Sequence, residues 1–343
     1  MCNALASEKP LTSDAEPLDR ANEGVIVQGP AVLEALARRF PQLYVAPAEG
    51  AQDAHRMARG RGIVPEGANL NHFEGSPNDE LREVNTSTGP VEVLFLERRR
   101  DFETFLQIMA HRSTPKPIAR TVGAMTFMGL ADWGKVFDAH EAYVASGGDD
   151  WGHEFARLAK EPRAFRSEFV VISEGPYSNV PADETPYAPD EWLRISREIR
   201  LHHECAHVVC RRSMPDDVLP VWDEITADVV GLLFATGGYD ASLATRFLGV
   251  SERGFTGGRL EEYLNEEQMA RIDEIAAELY DVCGRIEQMC GTDRESKSDW
   301  AVDPGHTSES VPVSESGQVV GPSEASDPFS FLMELKRSPL IPY

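Results

Sequence analysis

His203-Glu204-Cys205-Ala206-His207, followed by Glu224 and Asp228, constrains this chain more than any other stretch. It reads HExxH and then ExxxD, on two segments with helical patterning. Residues i and i+4 share one face of an α-helix, so His203 and His207 can offer imidazole nitrogens to a single point. Such a pair suits a tetrahedral zinc ion with three protein ligands and one open position. Glu204 can reach a water at that open position, which places it as general base.

The flanks predict a buried helix. Ile199, Leu201, Cys205, Ala206, Val208 and Val209 are apolar, and charges there would be stranded in a core. Arg211 and Arg212 fall in the last turn, where cations complement the helix dipole, and Ser213 and Pro215 end it. The alternative, a surface helix with two solvated histidines, has no use for such flanks. A second helix is predicted over 221–235, with Pro220 before it and Gly237-Gly238 as its stop. There Glu224 and Asp228 share a face beside Val221, Ile225, Val229 and Leu232 or Leu233. Two acids on that face need a positive partner. A zinc ion with its histidines is one; Arg197, Arg200 or Arg211 is the other. On the zinc reading Glu224 is the third ligand, and Asp228 accepts the free N–H of His203 and fixes its tautomer. Cys210 competes as third ligand. Cys205 points away from the histidines and is predicted to pack.

The paired motifs resemble the gluzincin clan of zinc metallopeptidases, in the thermolysin-like arrangement, over roughly residues 165–240. That resemblance implies an α+β, zincin-like fold: a small mixed sheet with an edge strand over an active-site helix, followed by a mainly helical C-terminal part. It implies one Zn2+ per chain on His203, His207 and Glu224, with Glu204 as base and Asp228 orienting a ligand. It also implies a peptide or protein substrate, cleaved by zinc-activated water; hydrolysis of another amide is compatible with the same residues. Zincins need a donor for the oxyanion, and His202, Tyr177, Tyr239, Arg259 and Tyr263 are the candidates. The alternative functions are a metal-binding regulatory or protein-interaction module without catalysis, and a metal-free acidic scaffold. An intact Glu204 argues against the former, since a structural site needs no base.

Around this centre, 168–173 predicts a strand, which the resemblance makes the sheet edge that pairs with substrate backbone. Val91 to Leu96 predicts another strand, 98–111 a helix, and 121–128 a strand or a packed loop. Ala241 to Leu248 reads as a short helix, and 259–290 as one long amphipathic helix. Residues 1–90 read as a polar, partly disordered N-terminal region with one helix at 31–40, and 91–290 as the zincin-like domain. Residues 291–343 read as a disordered tether carrying a short apolar motif at 328–335, able to dock on the chain's own cleft or on a partner. A net charge of −24 opposes nucleic acid and anionic membrane surfaces. No stretch is apolar enough to span a bilayer, no secretory signal is evident, and five scattered cysteines do not form a disulfide framework. A cytoplasmic location is the expectation.

Overall fold

The structure is a computed structural model that describes residues 25–213 and 220–290. Five strands, β1 (Val25–Gln28), β2 (Glu80–Thr86), β3 (Gly89–Leu96), β4 (Ala124–Ala131) and β5 (Arg166–Ser173), form one sheet in the order β1-β2-β3-β5-β4. Only β3 and β5 run parallel; the other neighbours are antiparallel, so the sheet is mixed. The helices are α1 (Ala31–Arg39), α2 (Gln52–Arg61), α3 (Arg99–Met109), α4 (Trp133–Ala145), α5 (Trp151–Leu158), α6 (Pro162–Phe165), α7 (Pro189–Ser213), α8 (Pro220–Thr236), α9 (Ala241–Leu248), α10 (Glu266–Met269) and α11 (Ile272–Met289). A two-stranded ribbon, β6 (Val250–Ser251) and β7 (Gly254–Phe255), lies between α9 and α10 in the chain. The class is α+β, with a mostly helical C-terminal part. Among the described residues no helix is long and apolar enough to cross a membrane.

The near-continuous apolar runs of β3 and β5 have a simple cause: the sheet is covered on both faces. Side chains alternate along a strand. Leu94, Leu96, Phe169 and Val171 therefore point to one side, into a core with α1 and α3. Val91, Val93, Phe95, Val170 and Ile172 point to the other and meet Leu201, Cys205 and Val208 of α7. These three α7 positions, spaced four and three apart, make one stripe of the helix. A second stripe, Trp192, Ile195 and Ile199, turns toward α8, where Ile225, Val229 and Leu232 continue a core completed by α9 and α11. His203 and His207 extend this second stripe by i+4 steps. Cys205 thus packs against the sheet, and burial pushes its thiol up to about 12.

Gly231 sets how closely the two helices cross. A Cβ there would lie 2.8 Å from the Ile199 carbonyl oxygen and 3.5 Å from the His203 Cβ. Ala gains ~1 kcal/mol of helix propensity over Gly, but overpacking at a backbone contact costs about 1–3 kcal/mol. Gly231→Ala is therefore expected to lower stability and push α8 away from His203. A urea melt with its midpoint at or above that of the unaltered protein would contradict this crossing.

Three expectations differ from the structure. Residues 25–90 are not peripheral: the 90 boundary falls inside the β2–β3 hairpin, and Val32, Leu33, Leu36, Phe40, Leu43, Phe73 and Leu81 join the core under the sheet. Their loops read as polar because buried carboxylates organise them. Asp101 accepts from the Glu74 and Gly75 amides (both 2.9 Å), and Asp79 from those of Ser76 (2.8 Å) and Glu97 (3.0 Å). Second, β5 is internal to the sheet, and the edge beside it is β4. Third, 259–290 is not one helix. A 3-10 turn over Arg259–Tyr263 ends in extended backbone at Leu264, and Asn265 restarts the chain with a capping box to Gln268. The N-terminal 24 residues and the tail with its apolar motif lie outside the described residues.

Candidate metal centre

Three side chains converge where α7 crosses α8. Nε2 of His203 and Nε2 of His207 are 3.1 Å apart, and the two Glu224 carboxylate oxygens lie 3.4 Å from one or the other. A tetrahedral ion with bonds of about 2.0–2.1 Å spaces its ligand atoms about 3.3–3.4 Å apart. The shortest approach of each pair is near that spacing, and one donor atom from each residue lies within 4.8 Å of the other two. Their other sides are tied back. His203 Nδ1 is 2.9 Å from Asp228 Oδ1, and His207 Nδ1 is 2.8 Å from Asp223 Oδ2. With each Nδ1–H given to a carboxylate, each Nε2 presents a lone pair to the shared point. Among the described residues, no other group of three His, Cys, Asp or Glu side chains comes together this way. Cys210 stays outside it, because seven residues of helix place it about 10 Å along the axis from His203.

The electrostatics are those of a place that holds positive charge. Burial opposes charge on both imidazoles, yet bonds to Asp223 and Glu224 push His207 up to about 10, and bonds to Asp228 and Glu224 raise His203. Burial would raise Glu224 and Asp228. Glu224 is instead held low by the two histidines, and Asp228 by Arg259 and then His203.

Asp228 is the hub behind the ligands. Its Oδ1 accepts from the Tyr177 hydroxyl at 2.6 Å as well as facing His203, and its Oδ2 accepts from Arg259 at 2.6 Å. Arg259 also donates to the Tyr177 oxygen at 3.3 Å and lies 3.9 Å from Glu224. Two of the residues expected as oxyanion donors, Tyr177 and Arg259, are thus each held by a hydrogen bond to Asp228. The expected alternative cations point elsewhere. Arg197 sits over the Phe95 ring near Glu80 and Glu174, Arg200 donates to the carbonyls of Gly175 and Pro176, and Arg211 reaches the Met128 sulfur.

A cavity of about 130 Å³ opens beside the centre, lined by His203, Glu204, Glu224, Tyr177, Arg259 and Tyr263 together with the β4 approach, Thr121 to Ala124. Glu204 is not part of the three-donor cluster; its Oε2 accepts from the Thr126 hydroxyl of β4 at 2.5 Å. Tyr263 lines the cavity and contacts Glu224; burial is the main reason its phenol is raised above the usual range. His202 is one residue off the ligand face. It stacks on Phe234 (4.4 Å, 18°) and does not reach the cavity. Tyr239 is buried in the C-terminal core, away from the cavity lining.

Residues 27–295 match the model of a family described as a family of unknown function, DUF7005. The chain belongs to that family. No curated protein and no solved structure matches. The span shared with the family contains β2 to β5, the end of β1, α7, α8 and the centre between them.

Sequence reasoning missed Asp223, Thr126 and the cavity wall. Asp223 precedes Glu224 in the first turn of α8, where an acid reads as complement to the helix dipole. The available signal was a second acid directly before the helix-borne candidate ligand Glu224. Removing an outer partner of a ligand histidine typically weakens metal affinity 10–100-fold. Asp223→Asn is expected to weaken zinc binding within about that range, read by competition with a chelating dye; unchanged affinity would sever Asp223 from the site.

Proposed function

We propose that this protein is a zinc-dependent hydrolase of zincin-like design that cleaves peptide bonds. The observation that carries the reading is the convergence of His203, His207 and Glu224 within 4.8 Å of one another, with both outer imidazole nitrogens fixed by carboxylates. Zinc held there would polarise the scissile carbonyl and lower the pKa of the attacking water. Glu204, beside that point and outside the ligand set, takes the proton of the water and returns it to the leaving amine. Thr126 steers the Glu204 carboxylate through one oxygen. The terminal position of β4 supports pairing of an extended substrate along its outer backbone edge, next to the cavity. Tyr263 and Ser178 face the space where an oxyanion would form. The Ser178 hydroxyl is buried without a partner among the described residues, on backbone of φ 50°, and strain of this kind gathers at working sites.

A second reading, a metal-binding module without catalysis, draws on the narrowness of the cavity. Thr121 and Glu262 hydrogen bond across its lining at 2.8 Å, which leaves little room for a chain. Metal content comes first in testing. About one zinc per chain is expected, sharply reduced in His203→Ala and in Glu224→Ala. Zinc retained without Glu224 would move the third ligand. No zinc in any form, even after reconstitution, would sink both readings.

A further inference from the structure

β4 ends at a second cavity, roughly 20 Å along the strand from the first, with a volume of about 520 Å³. Its lining includes Arg56, Arg59, Arg112, Arg166, His55 and Asp53. Four guanidinium groups around one hollow stand out in a chain of net charge −24. Asp53 pairs with Arg56 at 3.1 Å. Among the described residues, no carboxylate lies within ion-pair distance of Arg59, Arg112 or Arg166. Arg112 is also held in place. It and Ser113 adopt left-handed backbone (φ 55° and 59°), a conformation that persists only when the surroundings fix it. Ser113 supplies that fixing: its amide reaches the Gln107 carbonyl at 2.9 Å, and its own carbonyl accepts from the Ala48 amide at 3.0 Å.

His55 adds a second, independent observation. It is 2% exposed, lines the cavity, and has no partner for Nε2 among the described residues. The Ser113 hydroxyl donates to the Val45 carbonyl at 3.0 Å, so its remaining capacity toward His55 Nδ1, 3.1 Å away, is as acceptor. Nδ1 therefore carries the proton, and Nε2 is a bare acceptor. Burial first, then Arg59 and Arg112, depress the imidazole pKa to about 4, so the ring is neutral near pH 7. A buried acceptor without a partner is costly, and the arginines attract negative charge. One ligand answers both demands if it is an anion that brings an O–H of its own.

We propose that this cavity binds a phosphate-type oxyanion carrying an O–H, with its oxygens on Arg59, Arg112 and Arg166 and its proton given to Nε2 of His55. Inorganic phosphate keeps such a proton near neutral pH, and a hydroxylated phosphate ester has one on a neighbouring carbon. Sulfate, of nearly the same shape and charge, has none.

The test is calorimetric titration of the full chain, at fixed ionic strength, with inorganic phosphate, sulfate and glycerol 3-phosphate. Phosphate is expected to bind about tenfold or more tightly than sulfate, because sulfate leaves the His55 acceptor unpaired. Arg59→Gln and Arg112→Asn are each expected to raise the phosphate Kd about tenfold or more. Both side chains are exposed, and Asn tolerates left-handed backbone, so the fold is kept. Tighter binding of glycerol 3-phosphate than of phosphate assigns the site to phosphorylated hydroxy compounds, and the reverse order to phosphate itself. No binding of either phosphate would overturn the proposal. So would equal affinity for sulfate, or a Kd unmoved when Arg59→Gln and Arg112→Asn are combined. None of these readouts depends on zinc.

Discussion

Glu204→Gln is expected to lower the rate of peptide hydrolysis by roughly 10²–10⁴-fold, the usual worth of a positioned proton-transfer group, with zinc content unchanged. The two halves of this result come from different atoms. The proposed ligands are His203, His207 and Glu224, and Glu204 is outside that set. Gln has the same shape and keeps a carbonyl oxygen to accept from Thr126, so the β4 contact survives. What is lost is a base. The measurement is turnover of a quenched peptide library beside metal analysis of the same preparation. Loss of zinc together with activity would make Glu204 a structural element. A rate within a few fold of the unaltered protein would remove Glu204 from the mechanism and favour the non-catalytic module.

Arg259→Met is expected to cost about 3–5 kcal/mol of stability, the range for breaking a buried ion pair from one side. The Asp228 side chain is 3% exposed and that of Arg259 is 9% exposed, so little water replaces the lost guanidinium. Asp228 would keep Tyr177 and His203 but lose the cation that most depresses its pKa. The comparison with Asp228→Asn and with the double variant gives the sign. The double variant has no stranded charge and is expected to be more stable than Arg259→Met alone. Denaturant melts with a chelator present keep zinc linkage out of the measurement. A loss below about 1 kcal/mol, as for an exposed pair, would contradict the burial of this hub.

The convergence of His203, His207 and Glu224 was legible because metal-ligand chemistry would impose local spacing. His203 and His207 must be four apart on a helix, and Glu224 with Asp228 must be four apart on another. The hub was only half legible. Tyr177 and Arg259 could be named as polar residues near the site, but their common attachment to Asp228 joins positions 82 residues apart in the chain. No local pattern carries that. The order of strands is equally non-local. Val91 to Leu96 and Glu168 to Ser173 are strands by composition, yet only the parallel pairing of β3 with β5 pushes β5 inward and leaves β4 at the edge. β4 itself is faint, because Gly129 adopts φ 64° at the irregularity between Phe127 and Leu130. Residues 25–90 were misjudged for another reason. Their apolar positions are sparse, and buried Asp101 and Asp79 make their loops resemble solvated chain.

The two stripes of α7 carry a last consequence. One is clamped to the sheet through Leu201, Cys205 and Val208, and the other to the C-terminal helices through Trp192, Ile195 and Ile199. A helix gripped on both sides has no rotation left, and its histidine rotamers are fixed by Asp228 and Asp223 before any ion arrives. The entropy of ordering the ligands is then spent during folding rather than at binding. An ion bound here would meet a nearly rigid frame, so its affinity would be set by how well its radius and coordination preference match a hole whose size the packing has already decided.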